Sequence, residues 1–281
     1  MHLLIGSTPV EIITSRQNDR IKFLCKLRDR VKRDRHGMFL VEGYRELSRA
    51  MDNDIPMDGI FFCEKFFKDL APWDLIQRTE SKNIQICQVS DEVFEKISCR
   101  ENCDGILGLA KFWHLDFPHV KLSNNALILV AESIEKAGNL GALMRSAESA
   151  GTDVLILCNP VTDIFNPNVI RASQGAVFSL PTVVTGNEET LEFLGANAVQ
   201  IFATTPSAKN IYFHENFTSP TAIVVGSEHG GLSDFWLKND RVMPIALPQK
   251  GMSDSLNVND AAAIVLYEAV RQRMQKESSW M

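Results

Sequence analysis

Three polar stretches of the sequence combine glycine with side chains able to hold and orient a ligand. The first, AESIEKAGNLGALMRSAESAG (131–151), carries Glu132, Asn139 and Arg145. The second, VVGSEHGGLS (224–233), has glycine at 226, 230 and 231, with Glu228 followed by His229. The third, LPQKGMSDSLNVNDAAAIVLYEA (247–269), contains Ser255, Leu256, Asn257 and Asn259. Glycines of this kind let backbone approach a ligand closely. Each stretch alone also has an ordinary reading. AGNLGAL is a strand-to-helix turn without the GxGxxG fingerprint, an arginine such as Arg145 is commonly a surface charge, and Glu228-His229 is a common polar turn. None of the three calls for a metal. A fourth constellation, Cys99-x3-Cys103-x10-His114-x4-His119, comes close to zinc-finger spacing. Residues 105–112 read as a buried strand rather than a finger helix, and no second finger follows, so no metal is expected.

Each stretch needs an element to present it. Strand ALILVA (126–131) delivers Glu132, the chain turns at Gly138, and a helix runs from Asn139 to 150. Asn139 and Arg145 lie six apart, on different helix faces, so both border a cleft only if it wraps the first turns. Strand AIVVG leads into the second stretch, and strand VMPIAL ends at Leu247 before the third. Asn259 has the chemistry of an N-cap for a closing helix over 260–276. Between them come strand VLILC, a helix at about 167–177, strand PTVV, a helix over 188–195 and strand QIFAT. Apolar strands alternating with helices predict a parallel sheet covered on both faces. Ligands of such sheets sit beyond the carboxyl ends of the strands, where these stretches fall.

The N-terminal part has a different rhythm. A single helix is expected over 18–35, with Ile21, Leu24, Cys25, Leu27 and Val31 as its apolar stripe. A strand over 38–41 leads through Glu42-Gly43 into a second helix. Strands at 59–63, 84–89 and 105–112 and a helix at 91–97 follow. The expected organisation is a small α/β domain over 1–113, a linker over 114–125 around Pro118, and a second α/β domain over 126–281. No internal repeat or low-complexity segment is found.

With 281 residues, 45% hydrophobic and 23% charged, the chain can build about two ordinary cores. No apolar run approaches the roughly 18 to 20 residues of a membrane span. MHLLIGSTPVEIITS lacks the basic lead and long apolar region of a signal peptide. The scattered cysteines suit reduced thiols in a cytoplasm better than a disulfide framework. The net charge of -6 speaks against a nucleic-acid partner, but residues 16–35 hold nine basic side chains against three acids. Arg30, Lys32, Arg33 and Arg35 in that segment are candidate RNA contacts, because phosphate attraction is local at physiological salt. A solvated helix face with i,i+4 ion pairs is the competing explanation.

Taken together and in this order, the three stretches resemble the sequence motifs of the SpoU (TrmH) family of RNA ribose 2′-O-methyltransferases, within the SPOUT superfamily. NPNVIRASQGAVFSLPTVV (166–184) also looks like the family, and NDRIKFLCKLRDRVKRDRHGMFLVEG (18–43) resembles its ribosomal-protein-like RNA-binding domain. Asn259 stands where the family usually carries Ser; both residues cap helices. The resemblance implies a C-terminal parallel-sheet domain tied in a trefoil knot, one of the rare exceptions to chain topology, and a homodimer. It implies S-adenosyl-L-methionine as cofactor, in a pocket that includes Gly226, Leu247, Leu256 and Thr204. It gives Arg145 the activation of the ribose hydroxyl, with Asn139, Glu228, Ser255 and Asn257 around it. A guanidinium is a poor proton acceptor. The expected role of Arg145 is therefore to hold the target phosphate and stabilise the forming alkoxide, while the proton leaves through phosphate, water or a neighbour. The expected function is methylation of a ribose 2′-hydroxyl in structured RNA, ribosomal rather than transfer RNA because of the N-terminal domain. The alternatives are a transfer RNA substrate or a non-catalytic RNA-binding, ribosome-assembly protein on the same fold. A nicotinamide oxidoreductase fits the α/β rhythm but lacks the glycine fingerprint and its acidic partner.

Overall fold

The computed structural model describes residues 11–80, 82, 84–252 and 255–277. Most of the opening stretch weighed above as a leader, and Ser253 and Asp254 of the third polar stretch, lie outside the described residues. The chain forms two compact units. One contains the residues up to Trp113 together with Ile164–Ser179; the other contains His114–Asp163 and the residues from Leu180 onward.

The first unit runs β1 (Glu11–Ile13), α1 (Asp19–Lys26), α2 (Arg30–His36), β2 (Met38–Glu42), α3 (Tyr44–Asp52), β3 (Met57–Phe62), α4 (Ala71–Glu80), β4 (Gln85–Val89), α5 (Asp91–Ile97) and β5 (Ile106–Lys111). Its sheet has the order β1-β4-β3-β5-β2, with β5 antiparallel to both neighbours and the other pairs parallel. The helix expected over 18–35 is two helices, for a local reason. Asn18 caps α1 by accepting from the Arg20 amide at 2.9 Å, and Asp29 starts α2 by accepting from the Lys32 amide at 3.2 Å. Arg33 reaches back from α2 and donates to the carbonyls of Leu27 and Arg28 at 3.0 and 2.8 Å. It thus satisfies carbonyls left open at the end of α1. The break shifts the helical phase, so Val31, expected in the stripe, is 70% exposed.

The second unit carries β6 (Leu127–Glu132), α6 (Ala137–Ser149) and β7 (Val154–Cys158). α7 (Pro167–Ala172) follows in the chain but belongs to the first unit. Then come β8 (Thr182–Thr185), α8 (Asn187–Ala196), β9 (Gln200–Thr204), β10 (Asn210–Ile211), β11 (Thr221–Val225), α9 (Asp234–Leu237), β12 (Val242–Ala246) and α10 (Val258–Glu277). Every strand pair is parallel in the order β10-β12-β9-β11-β6-β7-β8. β6, β7 and β11 are buried along their length, which explains their unbroken apolar sequences. The stretch expected as a linker packs on this unit. Leu115, Phe117, Val120 and Leu122 lie against its core, and Phe117 stacks on Phe193 with centroids 4.1 Å apart.

The helix expected at 167–177 ends after one and a half turns, because Gln174 and Gly175 take left-handed backbone angles (φ 52° and 84°). A 3-10 turn, Ala176–Phe178, follows. This segment completes an aromatic core in the first unit. Phe165 stacks on Phe112 at 3.9 Å, and both Phe165 and Phe178 pack around Phe39 and Trp113.

Candidate active site

Beyond the carboxyl ends of β6, β9, β11 and β12 the three polar stretches meet around a cavity of about 490 Å3. Asn139, Thr204, Gly226, Glu228, Leu247, Ser255, Leu256 and Asn257 all line it. Local structure explains how each arrives there. β11 ends at Val225, and the next residues close a tight loop. The Ser227 amide donates to the Gly231 carbonyl and the Gly231 amide to the Ser227 carbonyl, both at 3.1 Å, while the Gly230 amide donates to Ser227 Oγ at 3.0 Å. Gly231 takes a left-handed φ of 65°. A Cβ on Gly226 would fall 2.2 Å from the Gly231 carbonyl carbon and 2.4 Å from the Leu232 nitrogen. Gly226 is therefore required for the loop to fold back on itself, and it also lines the cavity. Thr204, at the end of β9, donates through Oγ1 to the Val224 carbonyl at 3.2 Å, tying that strand end to β11.

One hydrogen-bonded chain links the three stretches. Asn257 Nδ2 donates to Asn139 Oδ1 at 3.2 Å, and Asn139 Nδ2 donates to Glu228 Oε1 at 2.5 Å. Asn257 Oδ1 accepts from the Asn259 amide at 2.9 Å. The orientation of each amide follows from donor inventory. A carboxylate only accepts, so Asn139 must turn its NH2 to Glu228 and its oxygen to Asn257, whose own oxygen is left for the helix. Burial acts to raise the Glu228 carboxyl, but the Asn139 hydrogen bond and the nearby amides of Glu228, Glu135 and Lys136 outweigh it and hold the group below its usual range. Its Oε2 is buried and accepts no well-formed hydrogen bond among the described residues. The cavity thus presents a fixed anion facing an apolar wall that includes Leu247, Leu256 and Val258.

Several expectations change. Asn257, not Asn259, caps α10, since the helix begins at Val258. Asn259 lies within the helix and accepts from Ser146 Oγ at 2.8 Å, joining α10 to α6. Glu132 is 4% exposed. Its carboxylate accepts from Asn187 Nδ2 at 2.6 Å, from the Ser233 amide at 2.8 Å and from Ser233 Oγ at 2.7 Å, so it organises the sheet end rather than facing a ligand. Arg145 does not line the cavity; it is exposed, and no protein group pairs with it among the described residues. Lys136, Ser227, His229 and Gln249 line the cavity without having been assigned a role. All four stand inside the quoted stretches, and position along those loops was the signal available for them.

The basic segment is thinner than its composition promised. Arg33 is 1% exposed, with its guanidinium turned to backbone carbonyls, which removes it from the candidate RNA contacts. Arg20 pairs with Glu11 at 2.7 Å, and Arg28 donates to the Lys96 and Ser98 carbonyls. Arg30 sits 3.7 Å from Asp34. Arg35 is exposed and Lys32 half-buried. Of the zinc-like constellation, Cys99 and Cys103 belong to the first unit and His114 and His119 to the second. No group of three or more potential ligands is found among the described residues. No helix among them is long and apolar enough to cross a membrane.

Comparison with known proteins gives these loops a context. A family model described as the SpoU rRNA Methylase family matches residues 126–267, and one described as an MRM3-like substrate binding domain matches 18–108. The chain is 28% identical to a 23S rRNA (uridine(2479)-2′-O)-methyltransferase of Streptomyces viridochromogenes, over 93% of this chain and 92% of that one. The crystal structure of an RNA 2′-O ribose methyltransferase superposes with a TM-score of 0.81 at 38% identity, covering 94% and 99% of the two chains. That of an AdoMet-bound rRNA methyltransferase from Sinorhizobium meliloti gives 0.85 at 25% identity, covering 93% and 98%.

Proposed function

The chain belongs to the SpoU rRNA methylase family, and from that premise we propose that it transfers a methyl group from S-adenosylmethionine to a ribose 2′-hydroxyl of ribosomal RNA. The observation that carries this reading is the cavity itself, in which one chain of hydrogen bonds runs Asn257–Asn139–Glu228 across all three loops. A volume of about 490 Å3 lies within the roughly 300 to 1,000 Å3 of small-molecule sites. Leu247, Leu256 and Val258 offer a purine an apolar wall, and ionised Glu228 with its unfilled Oε2 offers a counter-charge to a cationic ligand. When bound, the cofactor supplies a methyl group on a sulfonium centre whose leaving group departs neutral. The protein's own task is then alignment, which in favourable cases supplies about 7 to 11 kcal/mol. Asn139 and Asn257, each locked in one amide orientation, and the Ser255 hydroxyl are the groups that orient the ribose. Arg145, which has no partner among the described residues, is available to hold the target phosphate and stabilise the forming alkoxide.

The same reading includes the trefoil knot, a homodimer formed through the second unit, residence in the cytoplasm, and a division of labour between an RNA-docking domain and a methyltransferase domain. For the dimer, the support is the apolar side chains Ile264, Tyr267 and Met274 exposed along α10, which a second copy would cover. Calorimetric titration tests the cofactor assignment. S-adenosylmethionine should bind with one site per chain and NAD should give no heat; the reverse would return the chain to oxidoreductase chemistry. Incubation with unmodified 23S rRNA and methyl-labelled cofactor then separates an enzyme from an RNA-binding protein without turnover.

A further inference from the structure

Beside α3 the first unit has a second concavity, of about 640 Å3, bordered by Tyr44, Arg45, Arg49, Lys68, Arg100 and Asp104. Its acidic groups have partners among the described residues, except that the Asp104 Oδ1 is buried without one. Glu46 pairs with Arg100 at 3.3 Å, and Arg100 also donates to the Glu42 carbonyl. Asp104 Oδ2 accepts from the Tyr44 amide at 3.0 Å, at the first residue of α3. Asp69 accepts from the Ala71 amide at 2.9 Å. Three cations on the rim differ: Arg45, Arg49 and Lys68 have no ion-pair or hydrogen-bonding partner among the described residues. Arg49 is nevertheless held in place. Its stem lies against Gly175, where an added Cβ would come within 2.9 Å of Arg49 Cδ, and the left-handed φ of 84° favours glycine there.

Like charges gathered around one concave surface repel one another and focus a positive potential into it. Here the lining carries Arg45, Arg49, Lys68 and Arg100 against Glu46, Asp69 and Asp104, and Arg45, Arg49 and Lys68 make no ion pair among the described residues, so the arrangement points to an anionic ligand. The basic segment 16–35 contrasts with it, since much of its charge is spent on carbonyls and acids. Concavity also discriminates between forms of RNA. A duplex presents a convex ridge of phosphates, whereas loops and bulges offer unstacked bases that pack on aromatic rings and guanidinium planes. Tyr44 and the two arginines supply both surfaces. We propose that this concavity grips a non-helical segment of the substrate RNA, with Arg45, Arg49 and Lys68 on its phosphates and Tyr44 beside an unstacked base. The proposal rests on the reading of this chain as an RNA methyltransferase and assigns the docking face that reading leaves open.

The test compares two triple variants of the full chain, Arg45→Gln/Arg49→Gln/Lys68→Gln and Arg30→Gln/Lys32→Gln/Arg35→Gln, with unmodified 23S rRNA transcript as the probe. Affinity is measured across a range of salt concentrations, alongside S-adenosylmethionine affinity and thermal unfolding. The first variant should weaken RNA binding about tenfold or more at low salt. It should also flatten the salt dependence by about 2, from three contacts at about 0.7 each on single strands. Cofactor affinity should stay unchanged. The single exposed reversal Lys68→Glu should move RNA affinity the same way without lowering the unfolding temperature. A hairpin with an open loop should compete for the wild-type protein better than a blunt duplex of the same stem. The proposal is overturned if the first triple variant binds RNA like wild type, if the second loses more affinity than the first, or if the blunt duplex competes as well as the hairpin. Because RNA binding is read directly, wild-type protein that bound no S-adenosylmethionine would sink the methyltransfer reading while leaving this result intact.

Discussion

Asn139 stands between a carboxylate and another amide, and that position makes it worth more than its size. Asn139→Ala removes the donor to Glu228 and the acceptor for Asn257 together. Losing a partner to a charged, partly buried group costs about 1 to 3 kcal/mol, so S-adenosylmethionine affinity should fall about 5- to 150-fold by calorimetry. Glu228 sets a pH signature. Its carboxyl is held below the usual range, so in the folded protein it stays ionised until the pH falls below that of an ordinary carboxylate. Cofactor affinity should therefore stay flat from neutral pH down to about pH 5 and decline only in stronger acid. Arg145→Ala should leave cofactor affinity unchanged, because Arg145 is outside the cavity, and lower the methyl-transfer rate by about 100- to 1,000-fold, as for loss of one charge-stabilising donor. Near-normal turnover in that variant would remove Arg145 from the mechanism. Gly226 shows where reading residues singly falls short. Sequence alone casts Gly226 as letting backbone approach a ligand, but a side chain there would clash with the backbone of Gly231 and Leu232. Even Gly226→Ala should disturb the loop.

At the scale of elements, the strands of the second unit were the most legible part of the chain. β7 and β9 match their expected bounds and β6 and β11 fall within a residue, because strands buried on both faces write uninterrupted apolar runs into the sequence. Helix ends were harder, since caps compete. Asp29 and Arg33 jointly stop α1 and restart α2, and no periodicity announces an arginine satisfying carbonyls five and six residues back. β1, with one buried residue of three, and α4 left too weak a pattern to find. The corrected role of Arg33 has a measurable consequence. Arg33→Ala should lower stability by about 1 to 3 kcal/mol, since buried carbonyls lose charged donors, and leave RNA affinity of the folded protein unchanged. Chemical denaturation beside an RNA-binding isotherm checks both. In β7 of the second unit burial pushes the Cys158 thiol up to about 12, and in β4 of the first unit it pushes that of Cys87 up to about 11. Both should remain protonated and unreactive toward a thiol reagent at about pH 8 until denaturant is added.

For the molecule as a whole, the succession of elements along the chain was more legible in the sequence than the assembly of its parts. Ile164–Ser179 lies inside the stretch matched by the methylase family yet clusters with the N-terminal unit. Its apolar residues Ile164, Phe165 and Ile170 gave no hint of which core they would join. The loops carrying Asn139, Glu228 and Asn257 were legible because their polar residues and glycines interrupt an otherwise apolar rhythm. The way one amide locks the next needed three dimensions. If the exposed apolar residues of α10 are covered by a second copy, sedimentation equilibrium at micromolar concentration should give twice the chain mass, and a monomer would contradict that part of the reading. The central claim is tested most directly by mass mapping of 2′-O-methylated nucleotides in ribosomal RNA from cells with and without this protein. One ribose should lose the mass of a methyl group when the protein is absent and regain it with the wild type but not with Arg145→Ala. Identical ribose methylation in both sets of cells, with transfer RNA also unchanged, would contradict it.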